Sequence, residues 1–219
     1  ENSSVTIENS KITDSKQRLI YLYEPNVQYG DITLTNTTFA NITGNDVIHF
    51  RSSGGTANGN NINIDQCTFY NVAGSLITMR TMLGDFTVTN SNFDLITGGI
   101  DVTTAGPSST IDYSYTAGIS GTIDTDITVA NSITTAPTYT DAASLDLSLT
   151  NQGALLGSDG TTPIGDSRWH EQGNVAVAVV YAEQSVTNAA GQEILAMSNK
   201  DAGLIYIILD GEAQSTIVD

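Results

Sequence analysis

Apolar and polar residues alternate along the first two-thirds of the chain in short runs that return at regular intervals. The phrase VTIENSKITD begins at Val5 and returns as ITLTNTTFAN, INIDQCTFYN and FTVTNSNFDL. Alternation with a period of two predicts strands in which every second side chain faces inward. The first apolar positions of successive units lie 27, 30, 24 and 25 residues apart, at Val5, Ile32, Ile62, Phe86 and Ile111. A repeat of this length predicts a solenoid.

Each unit also carries a second alternating run, LIYLY, VIHFR, LITMR or GIDVT, after a turn. Several short strands per unit, stacked about 4.8 Å apart, favour a parallel β-helix over an antiparallel sandwich. The sequence therefore predicts an all-β fold, with β-helix coils and a C-terminal cap over residues 1–170.

A column of amide side chains marks the corner that follows the first strand of each unit. We expect these amides to stack as a ladder of hydrogen bonds inside the solenoid, since an amide can donate to one coil and accept from the next. The column contains Asn9, Asn36, Gln66, Asn90 and Asn131. The single Cys67 shares its repeat position with Ser10, Thr37 and Ser91, which predicts a small buried side chain.

The stretch LTNQGALLGSDGTTPIGDSRW, which ends at Trp169, resembles the closing segment of right-handed β-helix proteins related to polysaccharide lyases. It departs from their pattern at Ser167, where proline is common. The resemblance implies a right-handed parallel β-helix with a segment lying across its last coils, in a bacterial protein that is secreted or held at the cell surface.

Residues 171–219 combine the apolar runs NVAVAVVYAEQSVTN and AGLIYIILDG with polar turns, which predicts a β-sandwich-like segment. The segment resembles the immunoglobulin-like repeats of large bacterial surface proteins. A second resemblance, to sorting domains of bacterial type IX secretion, stays open for NAAGQEILAMSNKDAGLIYIIL. We expect the chain to be a piece of a longer polypeptide whose further domains are among its partners.

The net charge of −17 is concentrated in the second half of the chain. Residues 1–110 contain five Lys and Arg and ten Asp and Glu, whereas residues 111–219 contain two Lys and Arg and fourteen Asp and Glu. Such acidity argues against nucleic acid and anionic membranes as partners, because both require cationic patches. No apolar run approaches the roughly 20 residues of a membrane span.

The second alternating runs align into two outward-facing columns that hold most of the chemically useful side chains. The first column contains Tyr21, His49, Thr78 and Asp101, and the second contains Tyr23, Arg51, Arg80 and Thr103. Arginine pairs with sugar carboxylates and tyrosine stacks on sugar rings. This arrangement predicts a site for an acidic polysaccharide, with Tyr21, Tyr23 and Asp101 as ligand-binding residues.

The resemblance to polysaccharide lyases, which place basic groups on a parallel sheet face, implies cleavage by β-elimination. His49 or Tyr21 would then serve as base, and Arg51 or Arg80 would neutralise the carboxylate. No lysine stands in these columns, and the lyases' Lys/Arg motif has no counterpart here, so a non-catalytic structural or adhesive module, or a filament, stays open as the alternative.

The sequence assigns no metal site and no certain cofactor. Calcium, which the resembled lyases often use, stays open because Asp101, Asp124 and Asp126 fall near late coils, although no Asp-x-Asp-x-Asp-Gly loop is present. We interpret His170, beside Trp169, as a capping contact rather than a catalyst.

Overall fold

The computed structural model describes residues 4–22, 30–44, 46–50, 61–79, 84–102, 105–170, 185–187 and 193–195. The chain divides into two compact units, Glu1–Asn174 and Val175–Asp219. The first unit consists of short strands, and its sheets are formed by strands from successive repeats.

Three parallel sheets run along the first unit. The first sheet contains β1 (Val5–Glu8), β4 (Ile32–Thr35), β7 (Ile62–Asp65), β10 (Phe86–Thr89), β13 (Thr110–Asp112) and β14 (Thr128–Ala130). The second contains β2 (Lys11–Thr13), β5 (Thr38–Ile42), β8 (Thr68–Val72) and β11 (Asn92–Ile96). The third contains β3 (Ile20–Leu22), β6 (Ile48–Phe50), β9 (Ile77–Met79) and β12 (Ile100–Val102). The strands β1–β12 form four coils of three strands each, and β13 and β14 continue the first sheet beyond them.

The pairing confirms the predicted all-β fold with a parallel β-helix; its right-handed sense stays a prediction. Val5 pairs with Ile32, which pairs with Ile62 and then Phe86, as the repeat phrase requires. The expectation for Ile111 was wrong by two residues, because Ile111 pairs with Val88. Pairing, rather than the order of apolar residues, fixes which positions are equivalent in the fifth unit.

The inward side chains of the coils form one continuous core. Ile32, Leu34, Ile62 and Ile64 of the first sheet are fully buried or nearly so. In the second sheet three phenylalanines stack face to face, with ring centroids 4.9 Å apart for Phe39 and Phe69 and 5.1 Å apart for Phe69 and Phe93. Similar side chains thus occupy the same position in successive coils, and their stacking fills the interior of the β-helix.

The last part of the first unit leaves the repeat and packs on the outside of the coils. A hairpin of β15 (Tyr139–Asp141) and β16 (Asp146–Leu149) comes first, joined through a 3₁₀ turn at Ala142–Ser144. Tyr139 lies edge-on to the Tyr70 ring at 5.3 Å, and its hydroxyl accepts a hydrogen bond from Asn92.

Residues 150–170, here called the strap, then run along the second sheet toward the first coil. The amides of Gly165, Asp166 and Ser167 donate in turn to the Asn90 carbonyl, the Thr68 hydroxyl and the Asn36 amide oxygen, which belong to coils four, three and two. The strap therefore contacts the flank of several coils, whereas the sequence suggested a segment lying across the last ones.

Gly165 permits the close approach of the strap to the coils. Its φ is +92°, and a Cβ at this position would lie 2.6 Å from the Thr68 hydroxyl oxygen. A side chain here would be both conformationally strained and sterically blocked.

A buried polar network fastens the end of the strap to coil two. The Thr38 hydroxyl donates to Asp166 Oδ2 at 2.7 Å and accepts from Trp169 Nε1 at 2.7 Å. Arg168 Nε lies 2.8 Å from the same carboxylate oxygen, and Lys11 of coil one lies 5.1 Å from the Trp169 ring. The motif GDSRW thus has a structural explanation in this fold, since each of its last four residues contacts a coil or its neighbour in the motif.

In the second unit, β17 (Ser185–Thr187) and β18 (Glu193–Leu195) form an antiparallel pair. Apart from these two strands, the expected β-sandwich-like segment lies outside the described residues, and it stays a prediction.

Candidate functional site

The outward column predicted on the third sheet exists. Tyr21 pairs with His49, His49 with Thr78, and Thr78 with Asp101, across β3, β6, β9 and β12. We call these four residues the strip. The intervening Met79 and Val102 are buried, so the alternation that predicted the register is confirmed for these two coils.

Two aromatic rings and one guanidinium group stand together at the first two coils of the strip. The Tyr21 side chain is 42% exposed, and its ring centroid lies 5.5 Å from that of His49 at an interplanar angle of 37°. The guanidinium carbon of Arg18 lies 5.1 Å from the Tyr21 ring centroid. A cation at this distance is attracted by the electron-rich face of the ring.

Sequence reasoning missed Arg18 because it precedes the alternating run rather than belonging to it. Its placement three residues before Tyr21, in the turn leading into β3, was the available signal.

Asp46 was also missed, and it fixes the imidazole of His49. Asp46 Oδ2 lies 2.6 Å from His49 Nδ1, and both side chains are largely shielded, with 17% and 15% of their surface exposed. Asp46 Oδ1 accepts a hydrogen bond from the Ser75 amide of the next coil. The Asp46 carboxylate is therefore fixed by the backbone of coil three, and it in turn fixes the His49 side chain of coil two.

Three of the predicted site residues, Tyr23, Arg51 and Arg80, lie outside the described residues. The roles assigned to them, and to Tyr21, His49 and Asp101, stay predictions.

The amide column forms a corner of the coil in which every member has left-handed backbone geometry. The φ angles are 48° at Asn9, 46° at Asn36, 50° at Gln66, 46° at Asn90 and 44° at Asn131. Asparagine tolerates this conformation better than most residues because its short side chain bonds locally. Backbone geometry is thus a second reason for the repeated amide.

The predicted ladder is only partly formed by amide-to-amide bonds. Asn36 Nδ2 donates to Asn9 Oδ1 at 2.8 Å, but Asn90 donates to Asp65 and Asn131 to Asp112. Tyr113 occupies the corner between Asn90 and Asn131, which interrupts the run of amides. Side-chain bonds therefore do join successive coils, with aspartate replacing the amide as acceptor in the later coils.

The amides are also not in the interior, because Asn9 and Asn131 are exposed and the other three are partly exposed. In the first five units the residue that follows the corner residue points inward instead, and its hydroxyl or thiol donates to the carbonyl two residues before it. This second column consists of Ser10, Thr37, Cys67, Ser91 and Ser114.

Cys67 is fully buried within this column, as expected for a small core residue. Burial raises the pKa of its thiol to about 12. A thiol that stays protonated at neutral pH is a poor nucleophile, so Cys67 is a structural side chain.

A further corner column went unnoticed in the sequence. Asp14, Asn41, Asn71 and Leu95 all have positive φ angles, between 54° and 59°. Asn41 donates to Asp14 at 3.1 Å, and Asn71 donates to Asn41 at 2.7 Å. The column was hard to detect because only two of its four members are amides.

His170 lies at the end of the strap, beside a cleft of about 320 Å³ lined also by Gln152, Leu156 and Pro163. Its Nε2 lies 3.2 Å from the Ile164 carbonyl oxygen, and burial lowers the pKa of the imidazole. This contact within the strap accords with a structural rather than a catalytic role.

Within the ranges that the structure describes, no group of three or more His, Cys, Asp and Glu side chains is placed to hold a metal ion. Nor does any helix there have the length and apolar character needed to cross a membrane.

Comparisons with protein-family models, with curated proteins and with solved structures found no match for this chain. The parallel β-helix and its side-chain columns thus rest on the structure itself, and the resemblance to polysaccharide lyases stays a hypothesis.

Proposed function

We propose that this chain is the β-helical part of an extracellular protein that binds an acidic polysaccharide along the strip. The observation that carries the proposal is the shared outward column of Tyr21 and His49, with the Arg18 guanidinium beside the Tyr21 ring. An exposed aromatic ring next to a cation suits a sugar that bears a carboxylate.

The sequence supplies further cations for the same face. Arg51 follows His49 by two residues and Arg80 follows Thr78 by two, so period-two alternation predicts that both guanidinium groups face the same side as the strip. Adjacent coils are about 4.8 Å apart. A row of cations with this repeat suits a linear polymer that carries regularly spaced charges.

A catalytic version of the proposal is β-elimination. A base removes the C5 proton of a uronate, the electron pair forms the C4–C5 double bond, and the C4–O bond to the departing sugar breaks with protonation of the oxygen. His49 is our candidate base, while Arg51 and Arg80 would neutralise the carboxylate. Calcium stays open as a further ligand for the carboxylate.

The test is electrophoresis of the 219-residue chain through gels that contain alginate, pectate or chondroitin sulfate, with and without calcium. We expect retardation by at least one polymer, and loss of that retardation in Arg51→Ala and Arg80→Ala. Lys200→Ala removes the same charge outside the first unit and is the matched control. Absorbance of unsaturated products in the same mixtures tests cleavage. Absence of retardation under every condition contradicts the proposal.

A structural or adhesive module is the second candidate, and the corner columns favour it. The corner amides form hydrogen bonds between coils, as Asn36, Asn41 and Asn71 do. The strap covers the outer face of the second sheet. If the chain is a scaffold, Arg51→Ala and Arg80→Ala leave its behaviour toward every polymer equal to that of the wild-type chain.

A further inference from the structure

The Asp46–His49 pair determines which nitrogen of the neutral imidazole carries the proton. An aspartate carboxylate accepts hydrogen bonds and does not donate them, so the 2.6 Å contact requires the proton on His49 Nδ1. In the neutral ring the lone pair is then on Nε2. We infer that Asp46 is a positioning residue that makes His49 Nε2 a hydrogen-bond acceptor on the strip.

The position of Asp46 makes this assignment firm, because both oxygens of its carboxylate are committed. Oδ2 contacts the imidazole, and Oδ1 accepts from the Ser75 amide at 3.2 Å. The carboxylate therefore cannot rotate away without leaving a backbone amide of the next coil unpaired, which costs about 1–3 kcal/mol where water is excluded.

The inference names the ligand group that His49 recognises, and in this respect it rests on the proposed function. Nε2 with a lone pair accepts a hydrogen bond from a sugar hydroxyl, while the neighbouring Tyr21 ring offers an apolar face and Arg18 a positive charge. The combination selects a polyhydroxylated ring that bears an anionic substituent. In the catalytic version, the same lone pair is the one that would receive the C5 proton.

His170 provides an internal reference of opposite tautomer. Its Nε2 faces the Ile164 carbonyl oxygen, which also can only accept, so the proton of the neutral ring is on Nε2. The two histidines of the chain are therefore expected to give opposite patterns in one spectrum.

The test is a long-range ¹H–¹⁵N correlation spectrum of the uniformly ¹⁵N-labelled chain, at a pH where the spectra themselves show both imidazoles to be neutral. His49→Gln assigns the signals. We expect a pyrrole-type Nδ1 and a pyridine-type Nε2 for His49, and the reverse for His170. A proton on His49 Nε2 in the wild-type chain overturns the inference.

Asp46→Asn is the decisive variant, because its amide oxygen can still accept from the Ser75 backbone amide while its Nδ2 now donates toward His49 Nδ1. We expect the His49 tautomer to switch and that of His170 to stay. Affinity for the retarding polysaccharide should fall about fivefold, the loss of roughly one hydrogen bond. An unchanged His49 tautomer, or a switched tautomer with unchanged affinity, contradicts the inference. If no polysaccharide binds the wild-type chain, the proposed function fails, and the tautomer alone decides the role of Asp46.

Discussion

At the scale of single residues, the corners of the coil are set by backbone geometry as much as by hydrogen bonding. Positive φ angles recur at Asn9, Asn36 and Asn90 in one column and at Asn41 and Asn71 in the other. Left-handed geometry costs an ordinary residue roughly 1–2 kcal/mol, whereas asparagine is enriched in it because its short polar side chain bonds locally. An amide at these corners thus reduces strain and joins two coils.

Leu95 is the exception that tests this explanation. It has a φ of 55°, its side chain is 54% exposed, and it follows Asp14, Asn41 and Asn71 in their column. We expect Leu95→Asn to raise the free energy of unfolding by about 1 kcal/mol, through lower backbone strain and a new bond to Asn71. Urea unfolding measures the change.

Leu95→Ala is the control for this experiment, since it removes the exposed leucine without supplying an amide. The unfolding free energy of this variant should not exceed that of the wild-type chain, because alanine in left-handed geometry retains the backbone strain. Equal stability of Leu95→Asn and Leu95→Ala would show that the corner amides do not stabilise the fold in the way described.

At the scale of elements, the strap accounts for polar residues that are buried on an outer face. Thr38, Thr68 and Asn92 point away from the core, yet they are at most 2% exposed. The strap and the β15–β16 hairpin cover them and provide hydrogen-bond partners for the Thr38 and Thr68 hydroxyls and for Asn92 Nδ2. Removing one side chain of such a hydrogen-bonded pair should leave the polar group of the other buried without a hydrogen-bond partner.

Thr38→Val tests the importance of the strap network. Valine has the shape of threonine, but it cannot donate to Asp166 or accept from Trp169, so we expect a loss of about 2–4 kcal/mol in unfolding free energy. Thr33→Val, on the first sheet and outside the strap contacts, is the matched control and should change stability by less than about 1 kcal/mol. Similar losses in both variants would contradict a special role for the network.

The strands of the coils could be predicted from sequence because their signals are local. Alternation places Met79 and Val102 inward and Thr78 and Asp101 outward, whatever the distant parts of the chain do. The strap was different, since the contacts of Asp166 and Trp169 with Thr38 join residues 128 and 131 positions apart. No local pattern specifies which of several similar coils such a segment will contact.

The candidate site was likewise predictable only where its residues lie on strands. The column of the strip follows from alternation, but Arg18 and Asp46 lie in turns, where the backbone path decides the direction of a side chain. Sequence therefore indicates the sheet face and omits the groups that approach it from the corners.

At the scale of the whole molecule, pH acts on stability through several groups with opposite signs. Acidification reduces the repulsion within a chain of net charge −17, which favours the folded state. His170 opposes this, because burial lowers its pKa in the folded state. Below pH 6.5 the unfolded chain takes up a proton that folded His170 resists, so its contribution is complete above that pH and is lost as the pH falls.

The difference between wild type and His170→Gln isolates this contribution. Glutamine retains a donor for the Ile164 carbonyl but does not titrate. Between pH 7 and pH 5 we expect the wild-type unfolding free energy to fall relative to that of the variant, as measured by urea unfolding at each pH. Parallel pH profiles would contradict a buried, neutral His170.

The central claim is that the outward-facing strip of a parallel β-helix binds an acidic polysaccharide, and titration calorimetry with the polymer that retards the chain tests it most directly. Tyr21→Ala should weaken binding roughly tenfold through loss of the stacking ring. Leu95→Ala removes an exposed apolar side chain from the second sheet instead, and it should bind as the wild type does. Equal affinity of wild type and Tyr21→Ala, or no heat of binding for either, would contradict the account.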